Sequence, residues 1–331
     1  MKTNKIKEAI DAFKTLDITG DPRKAGDDFY QKFGVGVNPV MQDKPLERFQ
    51  ADEDLLEEMK KADSDKFDGI HKGTLYYFLF WNAYDFGRYD KALFYIDAAI
   101  SEDFKHHGIN WIGSQAASYL LLRDVSNPGG KRVIDDTKRV RDEQVKRFNG
   151  ITKRQITVDN LNSFITDMVK DPKTRSIFTA FYTFLLESEE RINELRLRSR
   201  HGGSIELPLA FLFKGGLIFE SLLKHRYPHL KNGNLGAVFK DAAFERDFPI
   251  GLNTSAGSLQ DILDYLSLHK SLQVQDAHQI RAAFSITAQV RNITGHSLLW
   301  DDVFTDENIK ELFEQEINAI FYVVVAPIHK K

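Results

Sequence analysis

Apolar residues recur at helical spacing along most of the chain. Stripes with a period of three to four run through residues 52–60, 74–100, 176–199, 207–224, 259–269, 276–290 and 307–325, and each predicts helix. Alternating strand patterns are scarce: residues 133–140 do not alternate cleanly and residues 155–158 are too few to count. The pattern predicts an all-α fold. The punctuation agrees with it. Asn127-Pro128-Gly129-Gly130 reads as a strong break, and Pro172, Pro208, Pro228 and Pro249 fall at or near proposed helix boundaries. Ser258-Leu259-Gln260-Asp261 has the form of a capping box, with aspartate at the third helical position. Thr305-Asp306-Glu307 places a capping hydroxyl and two acids at the start of the last helix, where the helix dipole favours them.

A chain of 331 residues is long enough for two helical domains. The expected division is 1–170 and 171–331, the first a regulatory or partner-binding domain that ends in a basic region, 131–154. That region holds Lys131, Arg132, Lys138, Arg139, Arg141, Lys146, Arg147, Lys153 and Arg154 against Asp135, Asp136, Asp142 and Glu143. It reads either as a solvated helix and linker or as a phosphate-contacting surface built on Lys138, Arg139, Arg141, Lys146 and Arg147. The first half also carries Gly87-Arg88-Tyr89-Asp90-Lys91-Ala92, followed by Ile96 and Ala99. This resembles the second half of a tetratricopeptide repeat, in which small residues let paired helices approach closely. No second clean copy follows at the expected period, and an ordinary helical hairpin is the other reading.

Charge and composition narrow the chemistry. A formal net charge of -3 provides no global basic field, so a polyanion site has to be a local patch. With no cysteine there is no disulfide and no thiolate metal site, as suits a reducing compartment. The first residues lack an apolar signal-peptide core, and the longest apolar runs, such as residues 320–327, are too short to span a bilayer. A cytoplasmic protein is expected. Walker A, HExxH, GxSxG and complete GxGxxG motifs are absent, and Gly34-Val35-Gly36 lacks both a third glycine and a preceding strand. His225 and His229 are separated by Pro228 and have no obvious third ligand, while His106-His107 beside Asp103 reads as a polar helix end. No metal and no cofactor are expected.

The informative segment runs from Arg281 to Trp300. Ile280, Phe284 and Ala288 form a helical apolar stripe that leads into Arg291-Asn292-Ile293-Thr294-Gly295-His296. Here the chain resembles the HEPN superfamily, whose nuclease members carry Arg-x4-6-His, usually with a polar residue directly after the arginine. The resemblance covers roughly the last 150 residues and includes the helix Gly215-Gly216-Leu217-Ile218-Phe219-Glu220-Ser221-Leu222-Leu223-Lys224, of a kind that opens many such domains. It implies a C-terminal HEPN-like helical bundle that acts as a metal-independent endoribonuclease in prokaryotic defence or stress response. Arg291, Asn292 and His296 would be the catalytic residues, in a homodimer that brings two motifs to one cleft. RNA is then the substrate, the five basic residues named above are candidate RNA contacts, and a regulatory protein or ligand would act at the N-terminal domain. Some HEPN toxins carry a tyrosine two residues after the histidine; here that position is Leu298.

These residue types suit the reaction. RNA carries its own nucleophile, the 2′-hydroxyl, so cleavage needs proton transfer and stabilisation of added phosphorane charge. Histidine titrates near neutrality and serves as base or acid. Arginine stays charged and matches phosphate with its planar fork. Glu220, in an otherwise apolar helix, would either orient the active-site arginine or form an i,i+4 pair with Lys224. On an ideal helix residues five apart differ by about 140° in direction, so Gly295 would have to loosen the helix for His296 to join Arg291. A second match, Arg196 to His201, runs into Gly202-Gly203 and reads as a helix C-terminus. Leu298, Leu299 and Trp300 would serve the core or the dimer interface. The alternative function is a non-catalytic helical scaffold that binds a protein partner and dimerises through the bundle.

Overall fold

Among the described residues each stretch of helical spacing becomes helix, with 74–100 divided into two helices at residues 86–88. A computed structural model of the chain describes residues 2–34, 44–126, 128–197, 204–271, 276–295 and 305–326. Among these residues there are sixteen α-helices and no β-strand, so the fold is all-α. In chain order they are α1 (Lys2–Thr15), α2 (Pro22–Phe33), α3 (Pro45–Ala62), α4 (Ser64–Gly69), α5 (Gly73–Asp85), α6 (Tyr89–His107), α7 (Gln115–Leu120) and α8 (Pro128–Ile151). There follow α9 (Val158–Val169), α10 (Pro172–Leu197), α11 (Glu206–Arg226), α12 (Leu235–Phe239), α13 (Ala242–Asp247), α14 (Leu259–Ser271), α15 (Asp276–Thr294) and α16 (Asp306–Val325). No helix among the described residues is long and apolar enough to cross a membrane.

The chain divides into two compact units, residues 1–138 with 169–179, and residues 139–168 with 180–331. The centre of the first is a hairpin of α5 and α6. Its corner is Gly87, whose φ of +78° is the left-handed conformation that glycine adopts without strain. Ala92, Ile96 and Ala99 are buried about one turn apart along α6, which packs against α5. Against this hairpin lie α2 and α3, with Phe49 edge-on to Phe86 and Tyr95 at 5.3 and 5.7 Å between ring centroids.

The second unit is organised around α11, which packs on both α15 and α16. Phe184, Phe211 and Phe313 meet at ring-centroid distances of 4.5 to 5.6 Å, and Phe219 and Phe248 each lie 4.9 Å from Phe284. The predicted capping box is present: Ser258 Oγ accepts from the Asp261 amide at 3.2 Å, and Asp261 Oδ2 accepts from the Ser258 amide at 2.9 Å. Thr305 Oγ1 caps α16 by accepting from the Asn308 amide.

The segment around Pro128 differs from its sequence reading. Pro128-Gly129-Gly130 opens helix α8 instead of breaking the chain, because proline at a first helical position gives up only an amide that has no intrahelical partner there. The basic region that follows is continuous helix to Ile151, with Val133, Val140, Val145 and Phe148 buried along one face.

Candidate active site

Two consecutive glycines in α11 decide where α15 and α16 sit. Neighbouring helical positions point about 100° apart, so each serves a different helix. A Cβ on Gly215 would strike the Glu316 carboxylate of α16 and lie 2.6 Å from Phe184 Cζ. A Cβ on Gly216 would lie 2.5 Å from Cβ of Arg291 and 3.3 Å from its Cα. The last turn of α15 therefore rests on the α11 backbone, with Arg291 directly against Gly216.

One turn further along α11, the buried carboxylate of Glu220 meets two cations. Its Oε2 lies 2.9 Å from Arg291 Nε and its Oε1 lies 2.7 Å from Lys224 Nζ. The i,i+4 pair with Lys224 is present, and Glu220 also lies against Arg291. The Arg291 contact is coulombic, since the Nε–H does not point along the line to the oxygen. Arg291 and Lys224 side chains each keep 27% of their surface exposed, so the pair of cations forms a solvent edge over a buried anion. Asn292, next in the helix, is half-buried. Helix α15 ends at Thr294, and the Gly295 amide still donates to the Arg291 carbonyl at 3.2 Å. His296 lies outside the described residues, as do His201 and Leu298, Leu299 and Trp300.

The five basic candidates separate into different environments. Arg141 is buried, donating to Asp142 and to Asn162 Oδ1 at 2.8 and 2.9 Å. Arg147 donates to the Glu314 carbonyl and to Asn318 Oδ1 at 3.1 and 2.8 Å, which ties α8 to α16. Both guanidiniums are engaged inside the second unit. Lys138 pairs with Asp124 at 2.9 Å, and the exposed Arg139 pairs with Glu143 at 3.3 Å. Lys146 is exposed.

Sequence reasoning missed two features. Glu316 is wholly buried in α16, and neither of its oxygens has a hydrogen-bond partner among the described residues. Burial pushes its carboxyl well above the ordinary glutamate range. The folded chain then keeps a proton that the unfolded chain releases. Stability falls as pH rises above the ordinary glutamate value and levels off once the folded pKa is passed. Glu316→Gln is expected to remove that slope. Glu316→Met is expected to add on the order of 1–3 kcal/mol at pH 7, because no polar atom is left buried. Urea unfolding at pH 5, 7 and 8 checks both; equal pH dependence in the wild type and Glu316→Gln contradicts the first, and a Glu316→Met chain no more stable than the wild type at pH 7 contradicts the second.

The second feature lies in the first unit. His71, in the short connection before α5, places Nε2 3.1 Å from Oδ1 of Asp103 on α6. His107, one turn on from Asp103, joins them at the edge of a cavity of about 500 Å³. Asp103 and His107 are four apart and share a helix face, which sequence spacing does reveal; the contribution of His71 comes from tertiary packing alone.

No protein-family model, curated protein or solved structure matches the chain.

Proposed function

We propose that the chain is an endoribonuclease that cleaves RNA by attack of the 2′-hydroxyl on the adjacent phosphate. Arg291 offsets the charge that builds on the phosphorane, His296 transfers the proton, and Asn292 holds the phosphate or the imidazole tautomer. The observation that carries this reading is the Glu220–Arg291 pair at the end of α15. The buried carboxylate beside Nε holds the guanidinium near it by charge, and the Arg291 side chain keeps 27% of its surface exposed, where a phosphate would meet it. A positive charge already in place limits the reorganisation needed at the moment of reaction. Lys224 adds a second positive charge beside it.

Acid and base roles are best filled by two histidines, so the proposed assembly is a homodimer that contributes two Arg291–His296 segments to one cleft. Arg139 and Lys146, the exposed members of the five basic candidates, remain candidates for RNA contact.

The product ends test the mechanism. Cleavage without added Mg²⁺ is expected to leave a 2′,3′-cyclic phosphate, or its opened form, on the upstream fragment, and the active species is expected to sediment as a dimer. Strict Mg²⁺ dependence with 3′-hydroxyl ends contradicts the histidine–arginine chemistry and indicates a carboxylate–metal centre. A monomer that cleaves at the full rate contradicts the two-chain cleft.

A further inference from the structure

We infer that the first unit holds a divalent transition-metal site, of the zinc class, formed by His71, Asp103 and His107. One ligand atom from each of the three lies within 4.8 Å of the others. Zinc bonds of about 2.0–2.2 Å place tetrahedral ligand atoms about 3.4 Å apart, so small side-chain rotations close the set around an ion. His71 Nε2 and Asp103 Oδ1, 3.1 Å apart, are already at that spacing.

Independent observations point to a ligand there. His71 is only 3% exposed, and Nε2 of His107 is buried with no hydrogen-bond partner among the described residues. A buried imidazole nitrogen without a protein partner is costly, and a metal ion at His107 supplies the missing interaction. The backbone also makes room for the ring. A Cβ on Gly73 would lie 2.5 Å from His71 Cε1 and 2.9 Å from its Nε2, so a larger residue at the start of α5 would expel the imidazole. Helix α6 ends at His107, and the negative end of its dipole favours a cation at that point.

The donor set selects the metal class. Two imidazoles and one carboxylate suit zinc and its first-row neighbours, whereas calcium and magnesium prefer all-oxygen ligands. Glu102, although close by, is engaged by the buried Lys72 at 3.1 Å and does not complete the set. Three protein ligands leave a coordination position for water or a small oxygen ligand, facing the cavity lined by Asp27, Thr74, Asn110 and Gln115. The bound ion would cross-link the entry to α5 with the end of α6.

The test is calorimetric titration of Zn²⁺ alone into the full chain, stripped with chelator and freed of any affinity tag. One equivalent is expected to bind. His107→Gln and Asp103→Asn are each expected to weaken binding at least about 100-fold, the upper end of what even indirect supports of a metal ligand contribute. His229→Gln, at a histidine paired with Asp241 in the second unit, is expected to bind as wild type. Should either site variant fail to fold, Co²⁺ added to the wild-type chain gives the answer: intense visible bands of four- or five-coordination support the site. Absence of stoichiometric Zn²⁺ uptake, affinity unchanged in both site variants, or a Co²⁺ spectrum like that of the hydrated ion overturns it. Each readout is binding and not cleavage, so the result stands apart from the ribonuclease proposal.

Discussion

Valine at Gly216 is expected to separate α15 from α11 and to cost the second unit roughly 3 kcal/mol, the upper part of the usual range for overpacking a core. The reason is the 2.5 Å between a Cβ at this position and Cβ of Arg291, well inside the roughly 3.5–4.0 Å of a carbon–carbon contact. Arg291 Cβ is fixed to the α15 backbone and cannot swing aside, so the helices have to move apart. That movement also loosens the ring contact of Phe219 with Phe284, which joins the same two helices. Loss of glycine from a helix interior returns about 1 kcal/mol at most, too little to offset the clash. Gly216→Ala is expected to show the same effect at smaller size. Thermal and urea unfolding followed by circular dichroism read it, and Gly216→Val as stable as the wild type contradicts the packing.

The helix class was legible because helical periodicity records burial directly: Ile280, Phe284 and Ala288 of α15 are all buried. The nature of α8 was harder to read. Its apolar residues, among them Val133, Val140, Val145 and Phe148, form a narrow stripe among nine basic residues of region 131–154, so charge hides the helical period. The same charge made Arg141 and Arg147 look like surface cations. Composition cannot tell that Asn162 and Asn318, distant in sequence, wait to accept their hydrogen bonds.

Glu220 was conspicuous as an acid in an apolar helix, and its i,i+4 neighbour Lys224 was visible too. Its contact with Arg291 joins positions 71 residues apart and depends on Gly216 allowing the approach. Glu316 went unnoticed because one acid among the alternating polar positions of α16 looks like any exposed glutamate. His71 went unnoticed because a histidine next to a lysine in a connection has no periodicity to betray its burial.

The central proposal rests on Arg291 and His296 acting together, and their alanine variants carry the largest expected effect on activity. Removing a histidine that transfers protons in the cleavage step is expected to slow it about 10²–10⁴-fold. Loss of the arginine removes a preorganised charge worth about 10²–10³-fold. Arg291→Ala also leaves Glu220 buried with Lys224 as its remaining ion-pair partner among the described residues, so a modest loss of stability is expected in that variant. His296→Ala is the cleaner probe. The decisive measurement is the initial rate at which the full chain cleaves a mixed-sequence single-stranded RNA, compared among wild type, His296→Ala and His201→Ala, with folding and sedimentation checked for each. The proposal predicts that His201→Ala cleaves as wild type, while His296→Ala remains folded and dimeric and loses at least about 100-fold of the rate. A wild-type chain that leaves RNA intact, or a His296→Ala chain that cleaves it at the wild-type rate, contradicts the account.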